Sequence, residues 1–419
     1  MAKSKIKVPN VWQVSTGQAL LSDKQNALFL CKLGQLFPTH EDQKKPAELL
    51  SMSFNIGIIG LPKSGRTTIL NALTKGRADT GSYSREALAP HIGVAKVPEP
   101  RLVALANMLQ PKKVTPAEVR YIDIGDSVKV LAKDHGIDGE LLNQLANADS
   151  LINVVRAFTD ESVPHIEGSL DVARDIETMN LEIAFSDLVL QERRLEKITL
   201  SLKGARAAER SALLREQELL TKIKTSLEKD IPLRELKLPP EEFKTLSHFQ
   251  FLTAKPLLIA VNIGEEQLAE AASLETELRE RYQRPECDLT TLCGKLEMEL
   301  SQLEEAEARE LRSEFGLEES GLDRTVKLSY QLLGFISFFT IVSDEIRAWS
   351  IKSGTAALKA AGKIHSDMER GFIRAEVVSY DDLIKCHSPT EARKRGLLRL
   401  EGKNYVIQDG DVITFLFNV

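Results

Sequence analysis

Apolar residues gather in short runs separated by amphipathic stretches: FNIGIIG at 54–60, AEVRYIDI at 117–124, SLINVVRAF at 150–158 and KPLLIAVN at 255–262. Runs of this length between turn residues predict buried strands, and their alternation with helical stretches predicts βαβ units and a mostly parallel sheet. Residues 172–229 interrupt the pattern. Leu181, Phe185, Leu188, Leu195, Ile198 and Leu202 recur at spacings of three and four, and after Gly204 a second run carries Leu213, Leu220, Ile223 and Leu227. Two such runs either side of a glycine predict an antiparallel, coiled-coil-like helical hairpin, which the Pro239-Pro240 pair ends or closely follows. After about residue 335, the runs FFTIVS, EIRAWSI, FIRAEVV, NYVIQDG and VITFLFNV surround a helix near 355–364 and predict a compact α+β module.

Residues 1–50 stand apart from this pattern. Ser22 to Gln25 reads as a capping box, and ALFLCKLGQLF after it puts Leu28, Leu33, Leu36 and Phe37 roughly on one helical face. A short helix that covers the adjacent domain, a partner-binding arm, or an untranslated stretch ahead of a start at Met52 all fit that pattern.

Composition changes little. The 419 residues are 42% hydrophobic and 28% charged, an ordinary globular balance with room for two or three domains. The net charge of −6 carries no global basic field, so a nucleic-acid contact needs a local patch. The four cysteines include no C-x-x-C pair, which argues for free thiols in a reducing compartment and against zinc. No apolar run is long enough to span a membrane, and no signal-peptide core follows the basic N-terminus. A cytoplasmic protein with neither a membrane nor a DNA partner is expected, with its oligomeric state open.

The chemistry concentrates at Gly60-Leu-Pro-Lys-Ser-Gly65-Arg66-Thr67. A P-loop reads G-x-x-x-x-G-K-[ST] between a strand and a helix, wrapping backbone N–H groups around phosphates. The flanks fit, and the helix N-terminus would face the anion. Thr67 occupies the Mg²⁺-ligand position. Arg66 stands where lysine belongs, and a long planar cation does not substitute simply for a compact one. The alternative is an incidental glycine-rich turn.

With its flanks, this stretch resembles the signature of the YchF (Obg-like ATPase) family, GLPNVGKST-LFNALTK. The resemblance continues through PHIGVAKVPEPRLVALANMLQPKK, FSDLVLQERRLEKI, RAWSIKSGTAALKAAGKIHSDMERGFIRAEVVSYDDL and EGKNYVIQDGDVITFLFNV, covering about residues 54–419. It implies an α/β P-loop NTPase (GTPase-like) domain with a mostly parallel sheet over 51–334, a helical coiled-coil hairpin inserted at about 172–240, and a C-terminal β-grasp (TGS) domain over 335–419. It also implies ATP, or GTP, with Mg²⁺, and association with the ribosome or ribosomal RNA.

Carried over by position, the phosphate-binding set is Gly60, Lys63, Ser64, Gly65, Arg66, Thr67 and Thr68, with Thr67 and Asp123 holding Mg²⁺. The family's N-x-x-E is Asn262-Ile-Gly-Glu265, and Cys293 and Gly294 stand at the last base-contacting loop. Glutamate in place of aspartate weakens a GTP-only reading. The hydrolytic loops depart further. The first-switch threonine is Ala87, and the second-switch glycine is Asp126, a carboxylate where a γ-phosphate would lie. Phosphoryl transfer rests on positioning and charge neutralisation, so these changes predict weak or impaired hydrolysis. Two readings stand: a divergent nucleotide-binding ATPase, with Lys63 supplying the missing charge, or a nucleotide-independent pseudo-ATPase that binds ribosome or RNA through its TGS domain and hairpin. His135 is a weak candidate base.

The segment 347–374 is locally basic, with Arg347, Lys363, Arg370 and Arg374 as candidate RNA contacts. Trp349 and Phe372, interleaved with them, are expected in the core of the small domain.

Overall fold

The computed structural model describes residues 54–74, 91–123 and 139–418. Twelve strands form two six-stranded sheets: β1 Phe54–Ile59, β2 His91–Lys96, β3 Lys113–Thr115, β4 Glu118–Asp123, β5 Ser150–Arg156, β6 Leu257–Asn262, β7 Cys287–Leu292, β8 Phe335–Val342, β9 Glu345–Lys352, β10 Phe372–Ser379, β11 Arg399–Glu401 and β12 Asp411–Phe417.

The first sheet runs β2-β4-β1-β5-β6-β7, parallel except for β2, which pairs antiparallel with β4 at its edge. Every residue of β5 and β6 is buried, as a central strand covered on both faces requires. Ile56, Ile58, Ile152, Val154 and Leu258 face one core, and Ile59, Leu151, Val155, Ile259 and Val261 the other. This is the mostly parallel sheet that the apolar runs predict, each run ending where its strand meets a loop.

The hairpin consists of α-helices Val172–Ser201 and Ala207–Leu227. Asp171 caps the first helix by accepting from Arg174 N at 3.0 Å. Its buried face departs from the predicted one near the root. Leu181 and Phe185 are exposed, while Ile176, Met179 and Ile183 are buried. There the helix packs on the sheet rather than on its partner helix, and the phase of its apolar stripe follows the sheet. Beyond the root the two helices share their own core, with Ile198, Leu220, Ile223 and Leu227.

The second sheet runs β11-β10-β12-β8-β9-β3. The β8–β9 hairpin, the helix Ala357–Ile364, and β12 lying parallel beside β8 give the β-grasp arrangement. NYVIQDG is not a strand. It turns, with one isolated bridge from Val406 to Ala356, because Asp411 accepts from Gln408 N at 2.9 Å and Tyr405 Oη at 2.7 Å and folds the segment on itself. The edge strand β11 lies upstream of it.

The sheets are joined by more than the chain at residue 334. Strand β3, early in the sequence, pairs with β9, and Thr115 Oγ1 donates to Glu345 at 2.6 Å. Arg101 bridges Glu99 and Asp409, each at 2.8 Å. The predicted features of residues 1–50, and Ala87, Asp126 and His135, lie outside the described residues.

Candidate nucleotide site

Strand β1 ends at Ile59, and the chain turns through Gly60–Gly65 into the α-helix Arg66–Thr74, whose first regular bond runs from Ile69 N to Gly65 O at 3.0 Å. Gly60 has φ +148°, and a Cβ there would lie 2.4 Å from Val154 O on β5. Gly65 has φ +94°, and a Cβ there would lie 2.2 Å from Asn262 Nδ2. Both glycines are therefore required by close backbone approach as well as by conformation. Lys63 takes φ +65° at the exposed tip of the loop, a strained setting for a residue with a side chain. Ser64 is buried, and Thr68 is half-buried in the first turn of the helix.

Thr67 Oγ1 donates to Asp123 Oδ2 at 2.9 Å. Asp123 ends β4 and is fully buried. The structure thus brings together two residues 56 positions apart, a hydroxyl and a carboxylate whose hard oxygen atoms suit Mg²⁺. Arg66, at the lysine position, is only 5% exposed.

The base-side residues also converge. Asn262, at the end of β6, donates from Nδ2 to Ser64 O at 3.0 Å and accepts at Oδ1 from Gly294 N at 2.9 Å. It braces the phosphate loop against the loop after β7. Its place in N-x-x-E implies a contact with the base, whereas here its amide first serves the protein. Glu265 pairs with Lys295 at 3.0 Å on the open side of that loop. The Cys293 thiol is buried, and burial pushes its pKa up, so it is a poor nucleophile.

Sequence reasoning missed two neighbours. Lys295 directly follows the Cys293-Gly294 pair, but nothing in the sequence says that it reaches Glu265. Arg156 ends β5 behind the loop. Its guanidinium lies 4.5 Å from the Phe158 ring and donates to Phe158 O at 3.2 Å. An arginine closing a mostly apolar run was the available signal.

The four candidate RNA contacts do not form one patch. Arg347 is half-buried, 4.0 Å above the Trp349 ring, on a strand covered by β3. Arg374 lies on β10, with β12 and β8 between it and β9. Arg370 pairs with Asp367, and Lys363 is exposed on its helix. Trp349 is a core residue, as expected, with Nε1 donating to Thr340 Oγ1 at 2.9 Å.

The parallel sheet order and the strand–loop–helix turn between β1 and the helix that follows it define a P-loop, GTPase-like α/β protein. A profile described as 50S ribosome-binding GTPase matches residues 55–186, and the YchF-GTPase C-terminal profile, described as a protein of unknown function, matches residues 335–418. The ribosome-binding ATPase YchF of Bacillus subtilis (strain 168) is 38% identical over 370 residues, 88% of this chain and 100% of that protein. The protein of the same name from Escherichia coli O157:H7 is 35% identical over 368 residues, again 88% and 100%. The solved structure of the Schizosaccharomyces pombe YchF GTPase superposes with a TM-score of 0.74 at 28% identity, covering 87% of this chain and 98% of that one. The chain belongs to the YchF family.

Proposed function

We propose that this chain binds a nucleoside triphosphate, ATP or GTP, with Mg²⁺ at the Gly60–Thr68 loop, hydrolyses it weakly, and associates with the ribosome in the cytoplasm. The observation that carries the nucleotide reading is the Thr67–Asp123 hydrogen bond at the mouth of a loop held open by Gly60 and Gly65. When bound, Mg²⁺ would neutralise charge on the phosphates, with Thr67 and Asp123 as its protein-side oxygens. Lys63, Ser64 and Arg66 line the same loop, and Glu265, Cys293 and Gly294 lie on the base side, close to the Asn262 brace. The ribosome reading is supported by the relatives, which are named ribosome-binding ATPases. The replacements at Arg66, Ala87 and Asp126 underlie the expectation of weak turnover.

Calorimetric titration with non-hydrolysable ATP and GTP analogues, with and without Mg²⁺, tests this. Micromolar binding that needs Mg²⁺ is expected, and Thr67→Ala should abolish the Mg²⁺ dependence. No heat with either nucleotide from the folded protein would leave the second reading, a nucleotide-independent scaffold that binds ribosome or RNA.

A further inference from the structure

A cavity of about 500 Å³ lies where the helical hairpin, an arm on the nucleotide-binding domain, joins the first sheet. Small-molecule sites have volumes of about 300–1,000 Å³. Leu257 and Ile259 at the start of β6 and Cys287 at the start of β7 form its floor. Because β1, β5, β6 and β7 run parallel, this is the edge of the sheet away from the Gly60–Gly65 loop. Leu181 and Ala184 of the first hairpin helix form one wall, and Leu227 at the end of the second helix forms another. Leu181, 56% exposed and off the packed face of its helix, thus belongs to a concave apolar lining rather than standing alone in solvent.

One cation is fixed in this lining. Arg234 comes from the 3₁₀ turn Leu233–Glu235 that follows the hairpin. Its Nη1 donates to Thr253 O and to Lys255 O, both at 3.3 Å, which orients the guanidinium. Its Nε is buried and meets no hydrogen-bond acceptor, and among the described residues Nη2 meets none either. Burial holds its pKa below the usual arginine value, yet a guanidinium stays charged. The acids of the lining do not neutralise it. Glu177 is engaged by Arg281 at 2.8 Å, and Asp230 and Glu235 lie beyond ion-pair distance of Arg234. A buried cation without a counter-ion is costly. Asn180, in the same wall, has a buried Oδ1 without a partner, and its amide can be turned to offer N–H instead.

We infer that this cavity binds a small amphiphilic carboxylate, with its apolar body against Leu181, Leu227 and Ile259 and its head on the Nε–Nη2 edge of Arg234. That edge presents two parallel donors, the geometry that a carboxylate accepts side by side. The apolar walls supply affinity through buried area, and the single oriented cation sets the selectivity for charge. A bound molecule touches both hairpin helices and two strands of the sheet, and so would fix the arm against the domain. The site is separate from the Gly60–Thr68 loop and does not depend on the nucleotide reading.

The test is calorimetric titration of the full chain with sodium octanoate. Octan-1-ol, which lacks the charge, and sodium acetate, which lacks the apolar body, are the controls. One-to-one binding of octanoate is expected, with octan-1-ol at least about tenfold weaker, the ratio expected from a charge-assisted hydrogen bond, and no heat from acetate. Arg234→Gln should lower octanoate affinity to that of octan-1-ol. Because Arg234 also ties its turn to Thr253 and Lys255, Leu181→Trp is the second variant. Its ring starts from an exposed position, fills the cavity, and should abolish octanoate binding without lowering the melting temperature of the ligand-free protein. Equal affinity for octanoate and octan-1-ol would reveal an apolar surface without charge recognition. No binding of either would mean a cavity that takes only water, and octanoate binding that survives both substitutions would mean a site elsewhere. Each of these three results overturns the inference.

Discussion

The Asn262→Ala protein is expected to lose about 3 kcal/mol of stability and most of its nucleotide affinity, although Asn262 is not assigned to the chemistry of hydrolysis. The side chain is buried and spends its amide on two backbone groups, Ser64 O and Gly294 N. Truncation leaves both unsatisfied, at roughly 1–3 kcal/mol each before any relaxation. It also frees the phosphate loop from the loop after β7, and phosphate cradles work only when their N–H groups are held in place. Denaturant midpoints measure the first effect and analogue titration the second. Gly65→Ala attacks the same contact from the other side, since its Cβ would lie 2.2 Å from Asn262 Nδ2. The double variant should therefore cost clearly less than the two single costs added together. Simple additivity would mean that the brace is not what couples the loops. A fully stable Asn262→Ala protein would mean that the loop stands on its own.

How much of this could be read from the sequence depended on the range of the interaction. The strands of the first sheet follow from apolar run length, and the loop from glycine spacing, both local signals. The Thr67–Asp123 pairing was reachable because the motif itself specifies two distant partners. The Asn262 brace was not, because the residue's type fits both a base contact and a structural bond, and only the crossing of two loops decides. Leu181 and Phe185 were placed on the buried face by a continuous heptad, but the helix changes partners from sheet to helix along its length and its buried face turns with it. Arg347 was placed on a basic surface by sequence proximity to Lys363. Strand β3, contributed from more than 200 residues upstream, covers its strand, and no local pattern announces that. At Ala87 and Asp126 the reading remains one of sequence.

Replacing Asp187 should destabilise the root of the hairpin by a pH-dependent amount. Its carboxylate is buried and accepts from Leu252 N at 2.9 Å, Thr253 N at 2.8 Å and Thr253 Oγ1 at 2.6 Å. These bonds fasten the arm to the segment that enters β6, the strand ending in Asn262. Asp187→Ala orphans two buried N–H groups, and a loss of about 2–4 kcal/mol is expected near pH 5. Burial pushes the Asp187 pKa up from 3.8 to about 6, the three donors pulling the other way without overcoming it. A carboxyl whose folded pKa is raised contributes fully below the unfolded value and loses that contribution as pH rises through the folded one. The stability gap between wild type and Asp187→Ala should therefore be widest near pH 4 and narrow through pH 6. Guanidinium melts at intervals from pH 4 to 8 measure it. A gap that widens with pH would show that the hydrogen bonds to the ionised form, rather than its desolvation, set the balance at this joint. The arm would then be held most firmly at neutral pH instead of less so.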